Sequence, residues 1–317
     1  MIAFVFPGQG AQYAGMGAEL ARAYPEARTV FERADAILGM SLSALCWEGP
    51  DERLKETEVT QPAILTTSIA ALAILQTRGL RCSMTAGLSL GEYTALVAAA
   101  AMRLEDALPL VRQRGRFMQE ASSGRRTAMA AILGLDSGTV ADICARAGAK
   151  GVLEPTNYNS PGQIVIAGDH AAVQEGIVLA KAAGAKRAVL LPVSAPFHTS
   201  LMEPAAERLA ALLARLPLRE PEVPVVSNVT AQPTQSPEEI RRLLIAQVLS
   251  PVRWEESVRA MSDMGAQTFV EIGPGSTLSG LIRKTVPHAR VLRVEDPTTL
   301  GETLGQLGVQ AEAHGPA

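Results

Sequence analysis

The chain has 317 residues, 47% of them hydrophobic but only 4% aromatic, so it can bury a large core filled mainly by Ala, Leu, Val and Ile. A formal net charge of -3 argues against binding nucleic acid or a membrane surface through a broadly basic face. Cys46, Cys82 and Cys144 contain no CxxC pair and are odd in number, which argues against a disulfide framework or a zinc site and fits a reducing cytoplasm.

In chain order, residues 2–6 form a short apolar run that reads as a buried strand. It ends in the Gly-rich turn Phe6-Pro7-Gly8-Gln9-Gly10-Ala11-Gln12. The start has no basic n-region, and neither this run nor residues 93–102 is long enough to cross a bilayer, so a soluble protein is expected. Residues 84–86 are again apolar and lead into Gly87-Leu88-Ser89-Leu90-Gly91, then into the good helix former Glu92-Tyr93-Thr94-Ala95-Leu96-Val97-Ala98. Residues 111–118 read as part of a helix that carries Arg114.

Between residues 127 and 193 the pattern is a strand at 128–133, a helix at 137–147, an irregular strand through Asn157, a strand at 164–167, a helix at 171–183 and a strand at 189–193. That order predicts a split βαβ ferredoxin-like unit, inserted into a larger domain made of 1–126 and 194–317. Further strands are expected at 225–229 and 268–272. The clearest helix start is Ser236-Pro237-Glu238-Glu239, where Ser236 caps, Pro237 takes the first position and Glu239 completes a capping box for a helix running towards Val248. From residue 297 a weak helix and a frayed tail are expected, and no internal repeat is found. The fold class is therefore α/β, with a parallel-sheet core.

Gly-x-Ser-x-Gly between a strand and a helix suits a nucleophile: small neighbours allow a sharp turn, and the helix start offers free N–H groups to an oxyanion. The bland alternative is an ordinary Gly-rich turn. A serine nucleophile needs a base, and the chain has only His170, His198, His288 and His314. His314 sits in the tail, His288 among basic residues, and His170 at a helix start. His198, in the loop Ser194-Ala195-Pro196-Phe197-His198, leaves a buried strand where α/β sheets place functional groups, and either acts as the base or caps the next helix. The backbone N–H groups of the first Gly-rich turn could supply the second half of an oxyanion hole. Arg114 either clamps a substrate carboxylate or is a surface arginine.

FPGQGAQ, GLSLGEYTAL, RQRGRFMQEA, NYNSPGQIVIAG, SAPFH, SPVRW and EIGPGSTLSGL occur in the order found in the malonyl-CoA:acyl carrier protein transacylases of fatty-acid synthesis, and nearly the whole chain resembles that family. The resemblance implies a hydrolase-like large domain capped by the ferredoxin-like insertion. It implies Ser89 as nucleophile, His198 as general base and acid, Gln9 and Leu90 as oxyanion donors, and Gln247 as the residue whose carbonyl supports the histidine. Arg114 would pair with the free malonyl carboxylate, Met118 one turn on would face the same pocket, and Asn157 and Asn159 would either line the groove or merely make turns.

Phe197 resembles the malonyl-selecting form of the family. A ring there crowds a branch at the acyl α-carbon, although excluding one methyl is worth only about 1 to 3 kcal/mol. One departure stands out: the family most often has His before the nucleophile, and this chain has Leu88. The implied partners are malonyl-CoA as substrate and an acyl carrier protein with its phosphopantetheine arm, without a metal or redox cofactor, nucleic acid or membrane, for a cytoplasmic monomer. Arg125-Arg126, Lys186-Arg187, Arg241-Arg242 and Arg283-Lys284 are candidate contacts for coenzyme phosphates or an acidic carrier. The competing readings are a polyketide acyltransferase, a serine thioesterase or esterase, and a catalytically silent scaffold that docks carriers.

Overall fold

The computed structural model describes residues 1–193 and 195–309. The strands in chain order are β1 (Ile2–Phe6), β2 (Met84–Gly87), β3 (Thr127–Leu133), β4 (Leu153–Ser160), β5 (Gln163–Asp169), β6 (Arg187–Leu190), β7 (Val225–Val226), β8 (Pro233–Thr234), β9 (Thr268–Ile272) and β10 (Arg290–Val294). They form two sheets. One has the order β10-β9-β1-β2-β7-β8, and all its pairings are parallel except β7 with β8.

β1 lies at the middle of this sheet and is buried on both faces, which is why its sequence is an unbroken apolar run. Phe4 and Phe6 point into one core and Ala3 and Val5 into the other. The larger core is built around the helix Thr57–Thr77, against which the helices Pro25–Leu38 and Leu104–Ala121 pack. By length and hydropathy that helix could cross a membrane, but 89% of its apolar window is buried inside the fold, so it serves as a core helix. Its interior position explains its lack of an amphipathic face.

The second sheet, order β4-β5-β3-β6, is antiparallel throughout, with the helices Ser137–Ala147 and His170–Ala182 on one side. The strand and helix order and the sheet order together are those of a ferredoxin-like unit, as the sequence predicts. Asp136 caps the first of these helices by accepting from Thr139 N at 2.9 Å. Tyr158 N donates to Val252 O at 2.9 Å and Val252 N to Thr156 O at 2.8 Å, so β4 is tied to the chain that follows Gln247.

Three expectations need correction. The strand expected at 189–193 is β6 at 187–190; Leu191 N still donates to Met129 O of β3 at 2.9 Å, and the chain then leaves the sheet with Leu191 and Val193 lining a cavity. The strand expected at 225–229 stops after Val226, because Ser227 accepts from Val229 N and Asn228 bonds to the serine elbow. Ser236 accepts from Glu239 N at 3.3 Å, but the Glu239 carboxylate takes the Thr234 hydroxyl at 2.7 Å, so only half of the expected capping box forms. The box with both bonds is at Asp296 and Thr299, which start the helix Pro297–Leu307. The expected tail and His314 lie outside the described residues, as does Ser194 of the histidine loop.

Candidate active site

Ser89 sits between β2 and the helix Leu90–Ala98 with φ 53° and ψ -102°, a backbone conformation costly for a residue with a Cβ. Its N–H donates to Asn228 Oδ1 at 2.6 Å, while Asn228 Nδ2 donates to Gly87 O at 2.7 Å, so one amide bridges both sides of the elbow. The glycines are required by close backbone approach. A Cβ at Gly91 would stand 2.1 Å from Phe6 O, and one at Gly87 would stand 2.0 Å from Gly91 O. Gly91→Ala is therefore expected to cost about 3 kcal/mol or more in urea unfolding, since neither partner is a movable side-chain end.

Ser89 Oγ is 2.8 Å from His198 Nε2, and His198 Nδ1 is 2.8 Å from Gln247 O. Because a carbonyl can only accept, Nδ1 carries the proton and Nε2 presents its lone pair to the serine. Gln247 ends the helix Pro237–Gln247, so its carbonyl belongs to the negative end of a helix dipole and favours a positive ring. His198 has φ 62° and is only 3% exposed. Burial, and secondarily the charge of Arg114, lower its pKa to about 4, so the ring is neutral at pH 7.

Arg114, on the helix Leu104–Ala121, is 1% exposed. Its guanidinium donates to Gln61 Oε1 at 2.9 Å, Gln247 Oε1 at 2.9 Å and Ser89 Oγ at 3.1 Å, and its carbon lies 5.1 Å from the centre of the Tyr93 ring. All of these partners are neutral, and among the described residues Arg114 makes no ion pair. Beside it opens a cavity of about 200 Å³ lined by Gln9, Ser89, Leu90, Met118, Phe197 and His198. Asn157 and Asn159 reach it from β4, and Leu88, Leu191, Val193 and Leu281 give it apolar walls. The backbone N–H groups of Gln9 and Leu90 donate to no protein acceptor among the described residues. Asn159 Oδ1 is buried without a partner, and Asn157 Oδ1 accepts from Thr156 Oγ1 at 3.1 Å.

All ten residues singled out from the sequence thus border one cavity or its supporting network. His198 does not cap a helix, and Arg114 is not on the surface. His170 and His288 lie elsewhere: the first donates its N–H to Arg126 O at the start of its helix, and the second is exposed. Of the basic pairs, Arg125 is engaged by Asp169 and Arg242 by Glu239, while Lys186 and Arg187, at the start of β6, are exposed. The sequence reading missed Asn228, Glu92, Gln61 and Tyr93 as parts of the site. Gln61 had a signal, being a long polar side chain directly before the apolar run Pro62-Ala63-Ile64-Leu65. Asn228 had one too, at the carboxyl end of a strand in an α/β sheet.

A parallel sheet bearing a serine elbow, with an antiparallel sheet across the cavity from it, places the chain in the class of α/β acyltransferases. Residues 3–306 match the acyl transferase domain family, and the chain belongs to that family. It is 46% identical over 300 residues to the malonyl CoA-acyl carrier protein transacylase of Bacillus subtilis, a match spanning 94% of this chain and 95% of that one. Among solved structures, the malonyl CoA-acyl carrier protein transacylase of Clostridium perfringens superposes with a TM-score of 0.94 at 41% identity, covering 97% of each chain. A malonyl-transacylase solved in complex with its type II PKS acyl-carrier protein gives a TM-score of 0.94 at 43% identity, with 96% of this chain and 99% of that chain covered.

Proposed function

We propose that the chain transfers a malonyl group from malonyl-CoA to the phosphopantetheine thiol of an acyl carrier protein, through an ester on Ser89. The observation that carries this reading is the buried, ion-pair-free guanidinium of Arg114 within hydrogen-bond distance of the serine hydroxyl. A cation held only by neutral oxygens calls for an acyl group with its own carboxylate, close to the reacting carbonyl. The names of the relatives point to the same substrate and acceptor.

In the first half-reaction Ser89 Oγ attacks the thioester carbonyl and gives its proton to His198 Nε2. The oxyanion is held by the N–H groups of Gln9 and Leu90, at the positive end of the helix Leu90–Ala98. The intermediate collapses, the C–S bond breaks, and the proton passes from His198 to the departing coenzyme thiolate. In the second half His198 takes the proton of the carrier thiol, whose sulfur attacks the ester and returns Ser89 to its hydroxyl form. Met118 and Phe197 bound the acyl end, Asn157 and Asn159 offer polar contacts to the pantetheine amides, and apolar walls disfavour water as acceptor. Division into 1–126 with 194–317 and an inserted 127–193 fits a catalytic domain with a cap, and the chain is read as a cytoplasmic monomer.

Intact-protein mass spectrometry after brief mixing with malonyl-CoA tests this reading. Wild type is expected to gain one malonyl mass that moves to an added phosphopantetheinylated carrier, and Ser89→Ala is expected to gain none. Release to water without transfer would instead support a thioesterase, and absence of any adduct a silent scaffold.

A further inference from the structure

Glu92 is 3% exposed, two residues past a helix start and next to the catalytic network, yet the acyl transfer above gives it no part. Its Oε2 accepts from Gln247 Nε2 at 2.6 Å and from Asn228 N at 3.1 Å. Gln247 is the residue on which the site converges. Its carbonyl holds His198, its Oε1 holds Arg114, and its Nε2 also donates to Ser89 O at 3.0 Å.

A side-chain amide can turn end for end with little change in shape, so something must set its direction. On one side Gln247 faces a guanidinium, which can only donate. On the other it faces the Glu92 carboxylate, Ser89 O and, at 3.4 Å, Asn228 Oδ1, all of them acceptors. We infer that Glu92 is a positioning residue whose carboxylate fixes the direction and depth of the Gln247 amide, and through it the place of Arg114 beside Ser89. Glu92 does not touch the substrate; it acts through Gln247. Burial pushes its pKa up to about 7 against the pull of these hydrogen bonds. Contact rather than charge is what the inference requires, because a carboxyl protonated on Oε1 still accepts at Oε2.

This inference rests on the malonyl-transfer reading, and two substitutions separate contact from charge. Glu92→Gln keeps the reach and one acceptor oxygen but removes the charge. Glu92→Asp keeps the charge but withdraws the oxygens by about 1.5 Å. The readout is the ratio of kcat/KM for malonyl-CoA over acetyl-CoA in the full chain, with folding monitored by thermal melting. Glu92→Asp is expected to lower this ratio about 10- to 100-fold, the cost of leaving a buried amide donor without its acceptor, while Glu92→Gln stays within a few-fold of wild type. An unchanged ratio in a folded Glu92→Asp, or a loss in Glu92→Gln as large as in Glu92→Asp, would overturn the inference. Should Glu92→Asp fail to fold, Glu92→Gln still decides, because the inference requires it to keep the malonyl preference. If wild type itself forms no malonyl-Ser89 ester, the functional reading has failed instead.

Discussion

Replacing Arg114 with Ala is expected to lower kcat/KM for malonyl-CoA by about a thousandfold, equivalent to about 4 kcal/mol, the cost typical of breaking a buried charge pair. Acetyl-CoA, which has no carboxylate to lose, is expected to be used no worse and to improve. Arg114 donates to the serine hydroxyl as well as to two glutamine oxygens. That bond draws electron density from the nucleophile. A malonyl carboxylate takes over the guanidinium and so frees a lone pair of Ser89 Oγ for attack, while the hydroxyl proton goes to His198 Nε2 in either case. A neutral acetyl group leaves the guanidinium where it is. Selection thus acts twice, once in binding and once in the reactivity of Ser89, and Arg114→Ala removes both. Stopped-flow measurement of Ser89 acylation by each thioester checks this; an unchanged malonyl-to-acetyl ratio would show that Arg114 is not the carboxylate clamp.

How much of this was legible beforehand varied with the kind of signal. β1 and β9 were legible to the residue because strands buried on both faces of a parallel sheet are short and mostly apolar, with Glu271 the charged exception in β9. The elbow was legible because Gly87 and Gly91 are forced by backbone contacts within a few residues of chain or with β1. The pairing of Ser89 with His198 could be ranked from loop position, and the family resemblance sharpened it. β6 was displaced because Leu191 and Val193 are apolar for a different reason, as cavity walls.

The network beneath the site was the least legible part. Gln61 and Glu92, on two helices, and Asn228, in the turn after β7, are each ordinary polar residues, and what they do follows from distances between residues far apart in the chain. Glu92 reads in sequence as a good helix former after a turn. Only the fold shows that it faces inward, where a buried carboxylate must find donors. Leu88, the departure from the usual family pattern, packs partly against the smaller core and gives the cavity an apolar wall. A polar ring there is not needed for the hydrogen bonds of the elbow, since Leu88 takes part in them through its backbone, donating to Phe6 O and accepting from Gly91 N.

The second large effect concerns His198. His198→Ala is expected to slow Ser89 malonylation by about 10² to 10⁴-fold, the range for loss of a positioned general base. In wild type the pH dependence of kcat/KM should follow the free enzyme, rising through about 4 as His198 loses its proton and then staying flat through neutrality, well below the ordinary histidine value of 6.5. Two causes hold the ring neutral, burial first and the Arg114 charge second. A bound malonyl carboxylate cancels the second, so the inflection in kcat, which reports the complex, should lie above that in kcat/KM. Arg114→Ala should move the free-enzyme inflection upward in the same direction. The sign carries over to stability: between about 4 and 6.5 the folded protein binds fewer protons at this ring than the unfolded chain, so His198 makes stability fall as pH falls through that window. Glu92, pushed up to about 7, has the opposite slope, binding more protons when folded and losing stability as pH rises from 4.5 towards 7. The two slopes oppose each other where they overlap, so urea unfolding of wild type should vary little with pH there through these groups, whereas His198→Ala should expose the falling slope of Glu92. An inflection in kcat/KM near 6.5 for wild type would mean that the ring is not held neutral in this way.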